Sequence, residues 1–350
     1  MRPAEAGLLP GSMDASARGA LALRARPEGR SSELQPVGEA EAWSTLESFL
    51  SGRALGYERA ISSPLTAFET GSRLSVHLAF GTISSRSVHQ QLEERLKVLA
   101  QGREPGAASL ERSLSAFAAR LAWRDHFMQR LEDETSMEHQ ALHPAMRDFP
   151  FPGGEHLASW LEGRTGFPLV DACMRCLHAT GFLNFRMRAH VVSTACHLLR
   201  IPWQEVQVAL GRLWADYEPG IHIAQVQMQA GMVGINQLRI YDPRRQLLEQ
   251  DPELRFVHRW VPELRGREVH EVAEHPRVPL PGYPVPAAAH AAAGRAFEEE
   301  HARRLADPGV ARITQDVLLR HGSRLSAERS SELRTGRGRS RRRGMHRGRR

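Results

Sequence analysis

The sequence GRTGFPLVDA, residues 163–172, is the first in a series of motifs that carry most of the information about the fold of this chain. The stretch continues through GFLNFRMR at residues 181–188, DYEPGIH at 216–222 and LRIYDP at 238–243, and it closes with WVPELR at 260–265. A proline at the start of a helix and a glycine just after its end are the usual asymmetry. Pro168 and Gly181 have this arrangement, so we predict a helix between them.

Further helices are predicted on both sides of that block. One runs from about Arg186 to Leu199 and ends before Pro202, because the residue before a proline disfavours the helical conformation. Another follows Pro202, with a face that includes Trp214, and a late one covers roughly residues 287–305. Upstream, four apolar residues recur at helical spacing, namely Leu110, Leu114, Phe117 and Leu121. No alternating strand of useful length occurs in the sequence, so the predicted fold class is all-α and multi-helical.

The composition divides the chain into three regions. Residues 1–41 are rich in Ala, Gly, Pro, Arg and Glu without periodicity, and we expect a disordered lead-in. Residues 42–306 carry the helical pattern and are predicted to form one domain. Residues 307–350 are predicted to hold a short helix and then a disordered arginine-rich tail.

The overall composition excludes several classes of protein. Of the 350 residues, 41% are hydrophobic, which is ordinary for a globular chain with a sizeable core. No apolar run is long enough to span a membrane and no secretory signal opens the chain. Three cysteines do not make a disulfide framework, so a reducing cytoplasm is the expected location.

The net charge of +7 belongs to the tail. Residues 334–350 hold nine arginines and no acid, and the rest of the chain has 38 basic and 40 acidic residues. Such a tail is either an accessory arm for nucleic acid or a solvated, low-complexity end. The second interpretation is favoured because Lys97 is the only lysine, which makes arginine the default cation of this chain.

The ordered series of motifs between residues 163 and 265 resembles the FAD-binding half of the photolyase/cryptochrome family. The resemblance implies a helical domain with FAD as cofactor. It also implies blue-light-driven electron transfer to damaged DNA, single- or double-stranded, by a carbon–carbon lyase of the deoxyribodipyrimidine photolyase type. The alternatives are a cryptochrome-like blue-light or redox sensor without repair activity, and a flavin-binding module without a light role.

The family typically has a second, α/β half that binds an antenna pigment. No strand-helix-strand alternation precedes residue 42 in this sequence. We therefore expect that the antenna half is missing or is supplied by another polypeptide.

The resemblance also implies a set of residues on the phosphate side of FAD. The segment GSRLS at residues 71–75 corresponds to the family's phosphate-binding turn, with Gly71 where the family usually has Thr. It contributes Ser72, Leu74 and Ser75, and Tyr57 lies near the family's tyrosine beside the phosphates. Arg124 is implied as a further phosphate ligand, because a guanidinium group can bind phosphate with two hydrogen bonds.

A second set is implied beside the isoalloxazine ring. Arg188 and Asp216 correspond to the family's charge pair, in which each partner offsets the cost of burying the other. Glu218 follows as a second carboxylate, and Asn184 lies next to the position of a family asparagine. His222 falls where the family places the residue that faces flavin N5, so it is assigned a cofactor-binding and catalytic role.

The electron-transfer route departs from the family pattern. The family reduces its flavin through three tryptophans, and Trp203 matches the middle one because it lies 15 residues after Arg188. Trp203 is therefore a candidate catalytic residue, with core packing as the alternative. The tryptophan nearest the flavin is expected around Ala224, where the sequence has none.

The substrate pocket departs as well. Trp123 matches the family's tryptophan and is assigned to substrate binding together with Arg120 and Phe185. Arg120 stands where the family has an acid, and Phe185 where it has an asparagine. The tryptophan expected across the pocket, near Val226, is missing, which weakens the repair interpretation because a flipped lesion is held by stacking.

Cys173 and Cys176 form a C-x-x-C motif with histidines nearby in sequence. A metal or redox site is one interpretation, and helix packing is the other. No second C-x-x-C exists, and three cysteines cannot supply four thiolates to an iron–sulfur cluster. We therefore predict no metal site.

Overall fold

The structure of the protein is a computed structural model that describes residues 33–102, 104–286 and 290–322. Across these ranges every regular element is a helix and no strand occurs, which confirms the all-α fold class. Most of the predicted lead-in and the arginine-rich tail lie outside the described residues. The limits proposed for the domain stay predictions, although helices extend from Glu39 to His321.

Sixteen α-helices occur in the described part of the chain. In order they are α1 Glu39–Ser48, α2 Tyr57–Ala60, α3 Ala67–Thr70, α4 Ser75–Ala79, α5 Ser85–Leu99, α6 Ala107–Asp133, α7 Leu157–Leu161, α8 Pro168–Thr180, α9 Phe185–Ser193, α10 Trp203–Leu213, α11 Pro219–Gln229, α12 Pro243–Gln250, α13 Arg255–Trp260, α14 Val269–Glu274, α15 His290–Ala306 and α16 Ala311–His321. Two π-helical turns, Phe49–Arg53 and Thr194–Leu198, continue α1 and α9.

The helix predicted between Pro168 and Gly181 is confirmed as α8. Pro168 is its first residue, and Gly181 follows its end with φ 65°. This glycine is required for two reasons, since the conformation is left-handed and a Cβ would lie 2.7 Å from the Cβ of Ala215. Gly181 thereby lets the end of α8 pack closely against the segment that carries the candidate charge pair.

The helix predicted from about Arg186 to Leu199 is confirmed, although its geometry changes at Thr194 from α-helical to π-helical; Arg200 then adopts a left-handed conformation with φ 57°. The prediction for the next helix was wrong at its end. Trp214, expected on the face of α10, lies one residue beyond it in an extended conformation with ψ 124°. That change of direction takes Trp214 out of the helical stripe.

The helices bury three clusters of apolar residues. The largest is built around α8, α9, α10 and α13. The second joins α1 and α5 to the first half of α6, and it includes the predicted stripe from Leu110 to Leu121. The third lies between the second half of α6, α11 and α16. Helix α6 therefore contributes to two of the clusters.

Candidate functional site

A cavity of about 510 Å³ lies between the first two clusters. Its walls include Tyr57 and Phe117 from the second cluster and Val192 and Leu210 from the largest one. The volume falls within the range of small-molecule sites. The packing of the helices thus leaves a ligand-sized space at their junction.

Arg188 and Asp216 form a charge pair in the wall of this cavity. Nη2 of Arg188 donates to both carboxylate oxygens of Asp216, at 3.0 and 2.7 Å, and the Asp216 side chain is only 6% exposed. Burial by itself raises the pKa of Asp216, but the attraction and hydrogen bonds of Arg188 outweigh it and the net pKa is lowered. Ser75 contributes a further hydrogen bond in the same direction. Asp216 is therefore ionised at neutral pH.

The position of Arg188 is fixed by two further contacts. Its Nε donates to the carbonyl oxygen of Leu183 at 2.8 Å. Its guanidinium carbon lies 4.1 Å from the ring centre of Trp214, a cation–π distance. The charge pair is consequently held on three sides, by a carboxylate, a carbonyl group and an indole ring.

Arg73 presents an unpartnered donor in the wall of the cavity. Its guanidinium carbon lies 3.9 Å from the ring centre of Phe182 and 5.1 Å from that of Phe68. Nη1 of Arg73 is buried and has no hydrogen-bond partner among the described residues. Burial lowers the pKa of Arg73 to about 10, so the side chain still carries its charge at neutral pH. An orphaned, charged donor of this kind fits an anionic ligand such as a diphosphate.

The turn that carries Arg73 is held by another arginine. Arg53 donates to the backbone carbonyl groups of Thr45, Glu69, Gly71 and Ser72. Arg73 itself adopts a left-handed conformation with φ 59°, which is uncommon for a residue with a Cβ. The clamp by Arg53 stabilises this turn, and the turn places Ser72, Arg73 and Ser75 together in the cavity wall.

His222 lies in the cavity wall on the first turn of α11. Its Nε2 is 2.8 Å from the carbonyl oxygen of Gln207. Burial lowers the pKa of His222 to about 4, so the ring is neutral at physiological pH. Just before α11, Glu218 lies 3.6 Å from Arg124, which joins α6 to the start of α11 through charge.

Most of the predicted cofactor residues come together here. Those that line the cavity are Tyr57, Ser72, Ser75, Arg124, Asn184, Arg188, Asp216, Glu218 and His222. Asn184 uses its amide group to donate to the carbonyl oxygens of Ile61 and Ser62, at 3.1 and 2.8 Å. Leu74 does not line the cavity, because its side chain is fully buried in the second cluster. A ligand contact from the backbone of Leu74 stays a prediction.

The other assigned residues are divided between the cavity and its surroundings. Arg120 and Phe185 line it. Trp203 is 2% exposed, packs in the largest cluster and is not part of the wall, which is the arrangement expected of a core tryptophan. Trp123 is 42% exposed and packs against His126 and Phe127, also outside the wall. Their assigned roles stay predictions without a cavity contact.

Several wall residues were not assigned from the sequence. Four of them lie within motifs that the sequence analysis recognised, but no sequence signal showed that these particular side chains, rather than their neighbours, would line the cavity. They are Arg73, Phe182, Arg239 and Tyr241. Trp214 was counted as part of the apolar stripe of α10. Its place in the wall could have been predicted only from the end of the helical conformation at residue 214. That end depends on tertiary packing, so no local sequence pattern indicates it.

The three cysteines are free and buried, and burial raises the pKa of each thiol. Within the described ranges no group of three or more potential metal ligands is found. None of the described helices has the length and apolarity to cross a membrane.

Comparison with known proteins shows which family this chain belongs to. The model of the FAD-binding domain of DNA photolyase matches residues 117–303, which is more than half of the chain. The chain belongs to the photolyase/cryptochrome family. The suspected resemblance is thereby confirmed, and FAD is the cofactor of this domain.

Two curated relatives are deoxyribodipyrimidine photo-lyases. The one from Thermus thermophilus is 35% identical over 234 residues, covering 66% of this chain and 52% of the relative. The one from Escherichia coli is 31% identical over 253 residues, covering 67% and 49%. The chain therefore spans about half the length of the curated relatives it matches.

A solved structure shows the same architecture. The bacterial class III photolyase from Agrobacterium tumefaciens superposes with a TM-score of 0.69 at 26% identity, covering 78% of this chain and 57% of the other. The cavity residues fit the cofactor of this family. The free donor of Arg73 suits a diphosphate, and the aromatic walls of Phe182 and Trp214 suit a planar ring system.

Proposed function

We propose that this chain is a photolyase-like flavoprotein, a carbon–carbon lyase that uses blue light absorbed by FAD to pass an electron to a lesion in damaged DNA. The observation that carries the proposal is the charge of the cavity wall. Six arginines line it against three carboxylates, Glu58, Asp216 and Glu218. This excess of positive charge attracts a polyanionic substrate.

The opening of the cavity supports DNA as the substrate. Arg120 and Arg239 are exposed wall residues and are placed to contact phosphates. Phe185 and Tyr217 also line the cavity and are 53% and 42% exposed. Exposed rings beside a basic opening suit a base or lesion turned out of the duplex, which is held by stacking.

FAD supplies the light absorption and the one-electron chemistry when it is bound. The protein supplies the electrostatic environment. The positive charge of Arg188 favours negative charge near it, and Asp216 keeps Arg188 in place and limits its net field. The buried ring of Trp214 and the half-buried ring of Phe182 cover one side of the cavity and reduce its contact with water, which strengthens these interactions.

A repair assay tests this function. The purified chain, loaded with FAD and given a reductant, is illuminated with an oligonucleotide that contains a cyclobutane pyrimidine dimer, and the remaining dimer is measured. We expect light-dependent loss of the dimer and none in the dark. An unchanged dimer with FAD bound would remove repair of this lesion from the proposal.

Two matched variants test the DNA contact. Phe185→Ser removes an exposed ring from the cavity wall and should weaken binding of the damaged oligonucleotide. Phe80→Ser removes a ring that is 69% exposed but outside the wall, and it should leave binding unchanged. If the two substitutions changed DNA binding equally, the DNA would not bind at the cavity opening.

A cryptochrome-like sensor without repair activity is the second candidate. Ala224 and Val226 are buried and apolar where the family resemblance implies tryptophans. The chain therefore lacks the usual ring nearest the flavin and one wall of the lesion pocket. A light-induced flavin spectrum that persists while the dimer stays intact would favour this function.

We also infer a reducing compartment, the cytoplasm, from the three free thiols. An antenna domain on a separate polypeptide stays part of the proposal. Co-purification of the chain with a second, pigment-bearing protein from its natural source would support it.

A further inference from the structure

Residues 33–37, which precede α1 and which we call the anchor segment, contact the turn that carries Arg73. Nε2 of Gln35 donates to the backbone carbonyl oxygen of Arg73 at 2.8 Å. At the start of the segment, Glu33 pairs with Arg259 of α13 at 3.0 Å. The anchor segment therefore joins α13 to one wall of the cavity.

Gln35 holds a carbonyl group that the Arg53 clamp leaves out. Arg53 donates to four backbone carbonyl groups of the described chain, but none of them belongs to Arg73. On this side the turn borders a second, more open cleft, whose lining includes Gln35, Arg53 and Arg73. A turn that borders a cleft is held by hydrogen bonds more than by packing. The bond from Gln35 thus completes the hold on the turn.

The amide group of Gln35 is itself fixed by a second acceptor. Its Nε2 lies 3.2 Å from Nε2 of His77 on α4, and Nδ1 of His77 lies 3.1 Å from Oγ1 of Thr82. An amide NH2 group has two hydrogens, so Gln35 can donate to the carbonyl oxygen and to the ring together, while Nδ1–H donates to Thr82. Burial lowers the pKa of His77, which favours the neutral ring that this arrangement requires.

Arg73 depends on such support because its backbone conformation is uncommon. Its φ of 59° lies in the left-handed region, which residues with a Cβ rarely adopt. The unpartnered Nη1 of the same residue is buried in the cavity wall. If the carbonyl oxygen of Arg73 were released, the backbone could leave this conformation, and Nη1 would lose its place in the wall.

We infer that Gln35 is a positioning residue for the cofactor: it holds the backbone of Arg73 so that the free donor of that arginine meets the diphosphate of FAD. The cofactor site thereby includes a residue that lies before the stretch matched by the family model, residues 117–303. The inference rests on FAD occupying the cavity, as in the proposed function. It does not depend on repair, because FAD binding is measured in the dark without DNA.

Binding of FAD and of riboflavin by the FAD-free chain tests the inference. Gln35→Met keeps a linear side chain of similar length but removes both donor hydrogens. We expect FAD to bind about three- to tenfold more weakly, the range for loss of one hydrogen bond, and riboflavin, which has no phosphate, to bind as in the wild type. Unchanged FAD affinity, or equal losses for the two ligands, overturns the inference.

A double-mutant cycle tests whether Gln35 acts through Arg73. Arg73→Met removes the charged donor but keeps the backbone carbonyl group, so the effects of the two substitutions should not add. In a chain that already carries Arg73→Met, we expect Gln35→Met to weaken FAD by less than about twofold. A loss as large as in the wild-type background would show that Gln35 acts independently of that donor, against the inference.

Glu33→Gln is the matched control. It removes the charge of the other contact of the anchor segment, the one with Arg259, and leaves the amide group of Gln35 in place. We expect FAD affinity to stay as in the wild type. A loss equal to that of Gln35→Met would assign the effect to loosening of the segment in general and overturn the inference.

Hydrogen exchange of the unsubstituted, FAD-free chain gives a measurement that stands even if Gln35→Met fails to fold. The side-chain NH2 group of Gln35 should exchange with solvent more slowly than that of the exposed Gln101. Equal rates would contradict the inference. Failure of the chain to bind FAD would instead refute the proposed function, while the exchange result would still stand.

Discussion

Replacing Asp216 with Asn should destabilise the protein and weaken FAD binding. The substitution keeps the shape of the side chain but removes the charge that Arg188 contacts at 3.0 and 2.7 Å. An arginine that loses its partner in a buried site keeps its desolvation cost without the compensating attraction. The effect should therefore exceed that of removing an ordinary hydrogen bond.

The structure sets the expected magnitude. Breaking a buried ion pair costs about 3–5 kcal/mol. The Arg188 side chain is 29% exposed and keeps its bond to the Leu183 carbonyl, so the lower end, about 3 kcal/mol, applies. At about 2.1 cal/mol/K of unfolding entropy per residue, that corresponds in this chain of 350 residues to a fall of roughly 4–5 °C in melting temperature.

The stability that Asp216 contributes also depends on pH in a predictable direction. Because the folded-state pKa of Asp216 is below its unfolded value, the stability contributed by Asp216 is present above the unfolded pKa of 3.8. It is lost as the pH falls through the folded pKa. The difference between wild type and Asp216→Asn should thus be constant between pH 6 and 8 and shrink in strong acid.

Thermal unfolding and FAD titration of both proteins are the assays. Glu263→Gln is the matched control, since Arg175 and Glu263 make two hydrogen bonds of 2.9 and 2.6 Å at a more exposed site. We expect that control to cost at most about 1 kcal/mol and to leave FAD binding unchanged. If Asp216→Asn had the same melting temperature as Glu263→Gln and bound FAD as tightly as the wild type, the reasoning would be refuted.

Three further outcomes are expected. Arg73→Met, which keeps an aliphatic stem between the Phe68 and Phe182 rings, should weaken FAD at least tenfold and leave riboflavin, which has no phosphate, unaffected; equal losses for both ligands would contradict the diphosphate contact. Burial lowers the pKa of His190 and His197 to about 3, so the unfolded state binds more protons below pH 6.5. The free energy of unfolding should therefore fall by up to about 1.4 kcal/mol per pH unit for each histidine as the pH drops toward 3. The fall should be less steep in His190→Leu, and the same dependence on pH in that variant and in the wild type would contradict a contribution from His190. The buried cysteines, all with raised thiol pKa, should not react with a thiol reagent until the chain unfolds, and rapid labelling of the native protein would show local opening.

Much of the fold could be predicted from local signals. Pro168 and Gly181 marked α8 because cap residues act through the backbone of their own helix. The charge pair Arg188 and Asp216 was predicted from family resemblance, and the structure brings the two side chains together.

The remaining features depend on contacts between distant segments. Arg73 stands against Phe182, 109 positions along the chain, and no local pattern predicts that encounter. Trp214 became a wall residue because the chain leaves the helical conformation after Leu213. Trp203 and Trp123 match the family spacing but lie outside the cavity wall, and their roles stay predictions, since a match in sequence does not show whether a tryptophan lies in the core, at the surface or in a cavity wall.

The cavity at the junction of two apolar clusters has a consequence for how the protein is handled. With Asn184 hydrogen-bonded to the carbonyl groups of Ile61 and Ser62, the same junction joins segments more than 120 positions apart. A cofactor placed there adds contacts to both clusters at once and binds the folded state alone. At a free concentration of 100 times its Kd it would raise the free energy of unfolding by about 2.7 kcal/mol. Melting temperature is therefore a direct measure of cofactor loading in this chain, and preparations of unequal loading cannot be compared for stability.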